Sequence, residues 1–415
     1  GTDKAGRDIF SRTVFGFRVS LLLVFGVLSV AVPVGAMLGM AAGYFGGLTE
    51  KLITGFTNVM LAMPPLVMAL AIGNVLEPNL INAMLAITLL WWTWHARLVY
   101  RVTVSVMSED FIEAAKLAGA GPLHILIKEI LPNCIAIISV KTTLDAAYNN
   151  SAAVADSAQW VEDWCIRSER SRETLQSNLD IRYGERERNS LDLFLSGQPF
   201  APLFVFIHGG YWQKNDKSMF SFIADGLCQL GIDVAIPGYS LAPEASLTEI
   251  VAEIHQMLEF IRSNPNEFQQ NLDRIIVGGW SAGGHLAALT QNCAGVRGIL
   301  PISGIYDLEP IAHTYLNEKL QLTAEEVTAL SPIRNWPSHS QPIQMAIGEL
   351  ELPELCRQSV EYANAALSHG FDAKLLQVPG KNHFSILDEL SDPKGLLAQR
   401  VMQLCTDTIG NGNRV

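Results

Sequence analysis

The sequence predicts a two-part chain: an all-α membrane segment over residues 1–146, then an α/β domain with a mostly parallel sheet over residues 147–415. Three observations carry this. Residues 19–49, 52–76 and 78–96 hold no Asp, Glu, Lys or Arg, and each run is long enough to cross a hydrocarbon core of about 30 Å. Past residue 148 such runs stop, and short apolar stretches alternate with amphipathic ones, the pattern of strands covered by helices. Charge divides at the same place: 10 Lys+Arg stand against 9 Asp+Glu before residue 147, and 19 against 32 after it.

The first part reads as three spans. Pro33, Pro64, Pro65 and frequent glycines suit membrane helices packed on neighbours. Both ends are basic, with Lys4, Arg7, Arg12 and Arg18 opposed by Arg97, Arg101, Lys116 and Lys128, so the positive-inside bias does not choose a topology. A seven-residue apolar run at 134–140 reads as a truncated fourth span, too short to cross.

After the third run stand Glu109-Asp110-Phe111-Ile112-Glu113-Ala114-Ala115, then Gly119, then Ile130-Leu131-Pro132-Asn133. This pattern resembles the EAA loop of ABC-transporter permeases. The opening, Gly1-Thr2-Asp3 through Gly6-Arg7-Asp8 with Ser11-Arg12 and Arg18-Val19-Ser20, resembles the dipeptide/oligopeptide branch. The resemblance implies that Glu113, Ala114, Ala115 and Gly119 belong to a loop that docks an ABC ATPase subunit. It also implies a multi-pass protein of the inner membrane, with that loop and residues 147–415 in the cytoplasm. Against the family pattern, a span before Gly1 and a completed pair after the loop are absent, so the translocation path is expected to be inactive.

In the second part, strands are expected at 203–207, 234–236, 274–277, 299–302, 343–347 and 374–378, with helices at 246–261 and 353–366. In such sheets chemistry collects at the carboxyl ends of the strands. There, after residue 277, stands Gly278-Gly279-Trp280-Ser281-Ala282-Gly283-Gly284-His285, which contains G-x-S-x-G. Gly279 and Gly283 permit a tight strand-to-helix turn that exposes the Ser281 hydroxyl as a nucleophile.

His208-Gly209-Gly210-Tyr211-Trp212 follows another strand, and the Gly209 and Gly210 amides, with that of Ala282, form a candidate oxyanion hole. His208 is expected to order this loop rather than move protons. Tyr211 and Trp212 read either as an aromatic wall for a substrate or as packing.

A serine nucleophile needs a base and the base an orienting acid, in the chain order Ser, acid, His. His383, in Gly380-Lys381-Asn382-His383-Phe384, follows the last strand and fits the base. The acid falls in Gly348-Glu349-Leu350-Glu351-Leu352-Pro353-Glu354, which offers no Asp. Glu351 is the choice by its place between strand and helix, with Glu349 and Glu354 as alternatives.

HGGYW with GWSAGG and PGKNHF resembles the arylformamidase (kynurenine formamidase) branch of the α/β-hydrolases, over roughly 148–408; HGG and Tyr239-Ser240-Leu241-Ala242-Pro243-Glu244 also touch the hormone-sensitive-lipase-like esterases. The implied reaction is hydrolysis of an aryl formamide such as N-formylkynurenine, with no cofactor or metal. A short-chain carboxylesterase is the alternative, and a peptide-permease subunit carrying a passenger domain is a third reading.

Six scattered cysteines without CxxC spacing read as reduced thiols, and the acidic second part argues against nucleic acid as a partner. No Gly/Ser/Pro-rich linker separates the parts. Residues 143–148 fit both resemblances, so the chain reads as a chimeric fusion, a recombined or misassembled reading frame joined there.

Overall fold

The computed structural model describes residues 9–63, 80–265, 268, 271–337 and 341–410. The chain divides into two compact units, residues 1–140 and 141–415.

The first unit is helical: α1 (Ile9–Phe45), α2 (Gly47–Ala62), α3 (Leu80–Met107) and α4 (Asp110–Leu117), before α5 (Leu131–Ala147), which carries the chain into the second unit. α1 and α3 approach closely because Gly35, Gly39 and Gly43 place a bare stripe every four residues. A Cβ on Gly39 would lie 2.5 Å from the Ala96 carbonyl oxygen, and one on Gly35 2.5 Å from that of Trp92. Small residues at this spacing are what lets membrane helices meet backbone to backbone. Apolar side chains such as Phe25, Met37 and Trp94 stay exposed, as expected of a surface that faces lipid.

Among the described residues one helical stretch, Leu21–Phe45, is long and apolar enough to cross a membrane. The second and third expected spans fall partly on residues 64–79, outside the described residues. The run 134–140 lies inside α5, unbroken from Leu131 to Ala147. A π-helical turn, Ile125–Ile130, precedes it, with the Leu131 N–H donating to Leu126 O. Pro132 brings no N–H of its own, and such a bulge accommodates the missing bond.

The second unit is an eight-stranded sheet in the order β1-β2-β4-β3-β5-β6-β7-β8. β1 (Ser177–Arg182) and β2 (Ser190–Phe194) are antiparallel; β3 (Pro202–Ile207), β4 (Asp233–Pro237), β5 (Asn271–Trp280), β6 (Val296–Ile302), β7 (Ile343–Gly348) and β8 (Ala373–Val378) run parallel. All six expected strands are present, each within a few residues of its expected bounds.

The flanking helices include α6 (Asn150–Ala153), α7 (Ser157–Thr174), α8 (Leu247–Ser263), α9 (Ala282–Ala288), α10 (Pro353–Ser368) and α11 (Leu396–Gly410). Strand alternation sorts the core into two layers. Leu203, Val205 and Ile207 face one cluster with Ile254 and Leu258 of α8, while Phe204 and Phe206 face the other with Trp164 of α7 and Val401 of α11. α8 begins at a capping box, the Glu249 N–H donating to Ser246 Oγ and the Ser246 N–H to Glu249 Oε2.

β2 carries a buried charge. Asp192 is fully enclosed and accepts from Arg172 at 3.1 Å, from the Asp180 N–H at 2.9 Å and from Lys217 Nζ, itself buried. Removing Asp192 would leave the buried Lys217 ammonium with the exposed Asp180, 2.7 Å away, as its remaining carboxylate, and would leave the partly exposed Arg172 to water. Asp192→Ala is therefore expected to destabilise the sheet unit by about 1.5–3 kcal/mol, read from urea unfolding of the detergent-solubilised chain; a loss of under 1 kcal/mol would mean the cluster behaves as an exposed pair.

Candidate active site

Ser281 is the single residue between the end of β5 and the start of α9, and its backbone sits at φ 57°, ψ −118°. A serine at positive φ is strained and needs outside support. Its N–H donates to Ile302 O at the end of β6 at 2.8 Å. Gly283 lets the helix start close in: a Cβ there would lie 2.0 Å from Ile207 O of β3, and one on Gly279 would lie 2.1 Å from Gly283 O. Any side chain at either position would push the serine away from the neighbouring strand ends.

The loop after β3 meets this turn. A Cβ on Gly209 would lie 3.0 Å from Ser281 Cβ and 2.6 Å from Trp280 O, so the glycines of HGG are what permit contact. Asn215 Nδ2 donates to Gly209 O at 3.1 Å and fixes the loop from outside. His208 is wholly buried, stacked between Tyr239 at 4.3 Å and Phe220 at 5.7 Å, with Nδ1 against Gly209 O at 2.9 Å. Burial pushes its pKa down to about 4, so it is a neutral packing ring. Tyr239, from the sequence stretch 239–244, closes the arrangement by donating to His208 O at 2.7 Å.

His383 follows β8, and its carbonyl accepts from Trp280 Nε1 at 2.8 Å. Its Nδ1 lies 2.9 Å from Glu351 Oε2, both side chains at least 95 % buried. Of the three carboxylates the sequence offered, Glu351 alone makes this bond. Glu349 Oε2 accepts from the exposed Gly380 N–H, and Glu354 is held by Tyr148 at 2.7 Å and Arg357. With Nδ1 occupied by the carboxylate, Nε2 of His383 is left for exchange with a hydroxyl.

Ser281 and His383 both line one cavity of about 250 Å³. Gly210 and Tyr211 line it too; Trp164, Trp280, Val161 and Phe384 give it an apolar wall. Ala282 follows Ser281 directly, at the head of α9. Tyr211 and Trp212 are separated by the fold. Trp212 is completely buried, edge-on to His285 at 5.0 Å, and is absent from the lining, although it shares the positive φ of Tyr211.

Two features were not read from the sequence. Ser303, at φ 49° just past β6, donates to Glu351 Oε1 and so holds the second carboxylate oxygen. Tyr211 Oη donates to Tyr148 O at 2.5 Å and accepts from Asn150 Nδ2 at 3.1 Å, which ties α6 across the site. A serine one residue past the end of a strand carries no motif, whereas Tyr211 belongs to HGGYW. Among the described residues no cluster of His, Cys, Asp or Glu is arranged to hold a metal ion.

In the first unit, Glu113 and Ala114 are exposed on α4, Ala115 is half-buried, and Gly119 ends the segment at φ 84°. Ile112 on the opposite side is buried against Val99 and Ile130.

The family described as BD-FAE matches residues 191–299, and that described as a binding-protein-dependent transport system inner membrane component matches residues 35–155. Kynurenine formamidase from Danio rerio is 35% identical over 254 residues, 57% of this chain and 85% of that protein. The dipeptide transport system permease protein DppC of Haemophilus influenzae is 36% identical over 144 residues, 35% of this chain and 49% of that protein. The chain thus spans about half the length of that permease relative. A crystal structure from Silicibacter sp. TM1040, provisionally assigned as a thioesterase, is 32% identical with a TM-score of 0.57, covering 62% of this chain and 98% of that one.

His285 repeats the situation of His208: it is fully buried, Nε2 lies 2.8 Å from Leu330 O, and burial pushes its pKa down to about 4. The unfolded chain takes up a proton on each ring near pH 6.5, whereas the folded chain resists until about pH 4. The contribution of each ring to stability is therefore constant above about pH 6.5 and is lost as pH drops toward 4, by up to roughly 3 kcal/mol per ring. Urea midpoints across that window should decline in the full chain and decline less steeply in His285→Phe; equal slopes would contradict the buried neutral state.

Proposed function

The chain belongs to the kynurenine formamidase family, and from that premise we propose that its second unit hydrolyses N-formylkynurenine or a related aryl formamide to the free arylamine and formate. Ser281 Oγ attacks the formyl carbon while Nε2 of His383 takes its proton. The tetrahedral oxygen gathers negative charge, which the amides of Gly209, Gly210 and Ala282 receive. His383 then protonates the departing arylamine, and the formyl group stays on Ser281 as an ester. A water molecule, deprotonated by His383, attacks that ester and releases formate.

Glu351 holds the imidazole in the tautomer with Nδ1–H toward the carboxylate and offsets the charge of the imidazolium, and Ser303 holds Glu351. What supports this reading is the buried His383–Glu351 hydrogen bond at 2.9 Å beside the strained Ser281 turn. Tyr211 borders the cavity as a substrate contact. A short-chain ester would follow the same steps with an alcohol leaving, so the competing reading is a carboxylesterase.

For the first unit, we infer a partial peptide-permease domain that crosses the inner membrane three times, with α4 docked on an ABC ATPase and the hydrolase on the cytoplasmic side. The exposed Glu113 and Ala114 support that docking. Stable co-purification of the chain with such an ATPase, weakened by Glu113→Ala, is the expected outcome; no association with either protein would remove the reading.

For the hydrolase, turnover of N-formylkynurenine is compared with p-nitrophenyl butyrate in the full chain, with variants alongside. The formamide should be preferred. Ser281→Ala should lower kcat by about 10⁴-fold or more, and Glu351→Gln by roughly 10³–10⁴-fold with little change in KM. Preference for the ester would make the protein a carboxylesterase, and full activity in Ser281→Ala would exclude the serine mechanism.

A further inference from the structure

The cavity is electrostatically lopsided. Among its described lining residues there is no carboxylate, while Lys214 and His383 are present. Residues 147–415 are otherwise strongly acidic, 32 Asp+Glu against 19 Lys+Arg. Lys214 is exposed and makes no ion pair among the described residues. The acid nearest it in sequence, Asp216, is occupied: it lies 3.2 Å from Arg188 and accepts from the Ser218 N–H at 3.0 Å.

The position of Lys214 is fixed by the oxyanion loop itself. Its carbonyl oxygen lies where a Cβ on Gly210 would come within 2.3 Å, so residue 214 folds back onto the glycine assigned above to the oxyanion hole. The neighbouring Asn215 bonds Gly209 O at 3.1 Å. The backbone of Lys214 is thereby anchored at the rim of the cavity that Ser281, Trp164, Trp280 and Phe384 also line, with its flexible side chain exposed there. The site therefore suits a flat apolar body that carries a negative group within reach of that rim.

We infer that Lys214 determines specificity, pairing with a carboxylate borne by the substrate and thereby selecting anionic aryl substrates over neutral ones. The inference rests on the hydrolase reading above and names the class of substrate within it. Lys214 acts on binding: a point charge on a flexible stem attracts the carboxylate in ground state and transition state alike, so its effect falls on KM rather than kcat. Added salt screens it.

The test uses the full chain in detergent and matched substrate pairs: 4-formamidobenzoate against 4-formamidotoluene, and 4-acetoxybenzoate against 4-methylphenyl acetate. The reading is the ratio of kcat/KM for the charged member over the neutral one, which a partly unfolded preparation does not alter. Lys214→Met should lower the ratio by about fivefold through KM, Lys214→Glu should lower it further, and Lys214→Arg should restore it. The wild-type ratio should fall between 0.05 and 0.5 M salt, and that of Lys214→Met should not. An unchanged ratio in both Lys214→Met and Lys214→Glu overturns the inference. If neither formamide is turned over while the esters are, the formamidase reading fails separately, and the ester pair alone decides the role of Lys214.

Discussion

Everything at the site depends on Ser281 being held at a backbone angle that a serine does not choose. The Ser281 N–H bond to Ile302 O spans two neighbouring strand ends, and the approach of Gly283 to Ile207 adds a third. β3, β5 and β6 thus have to be in register before the hydroxyl points into the cavity. A parallel sheet whose strand ends stop together supplies such a platform, and the helices that cover it prevent relaxation. The two core layers, one rich in Leu, Val and Ile and the other in Phe and Trp, make that register rigid.

The parallel strands were legible because most carry a buried apolar run, as in β3, β4 and β7. β1 and β2 were not. β1 is Ser-Asn-Leu-Asp-Ile-Arg on an exposed edge, and β2 has a buried aspartate at its centre whose partners, Arg172 and Lys217, come from distant segments. Charge in the middle of a strand reads as surface until the residues that neutralise it are known.

The site shows the same division between local and distant information. Ser281 and the glycines around it are set by steric demands within a few residues, so a motif records them. The carboxylate could only be narrowed to a short acidic stretch, because which of Glu349, Glu351 and Glu354 reaches His383 is decided by how the chain turns between β7 and α10. Trp212 shows the limit most plainly: next to a cavity-lining tyrosine in sequence, it sits in the core in space.

Residues 145–150 carry a further consequence. Asp145 accepts from the Tyr315 N–H, Tyr148 bonds Glu354 and Gln358, and Asn150 bonds Tyr211, so the hydrolase begins its own architecture before α5 has ended. The same stretch lies inside the permease match, which runs to residue 155. Replacing Asp145, Tyr148 or Asn150 would remove contacts that tie this helix end and the turn after it into the hydrolase unit. A stretch that falls within the permease-like match is thus constrained from the hydrolase side as well, and its side chains are not free to vary as those of a linker would be.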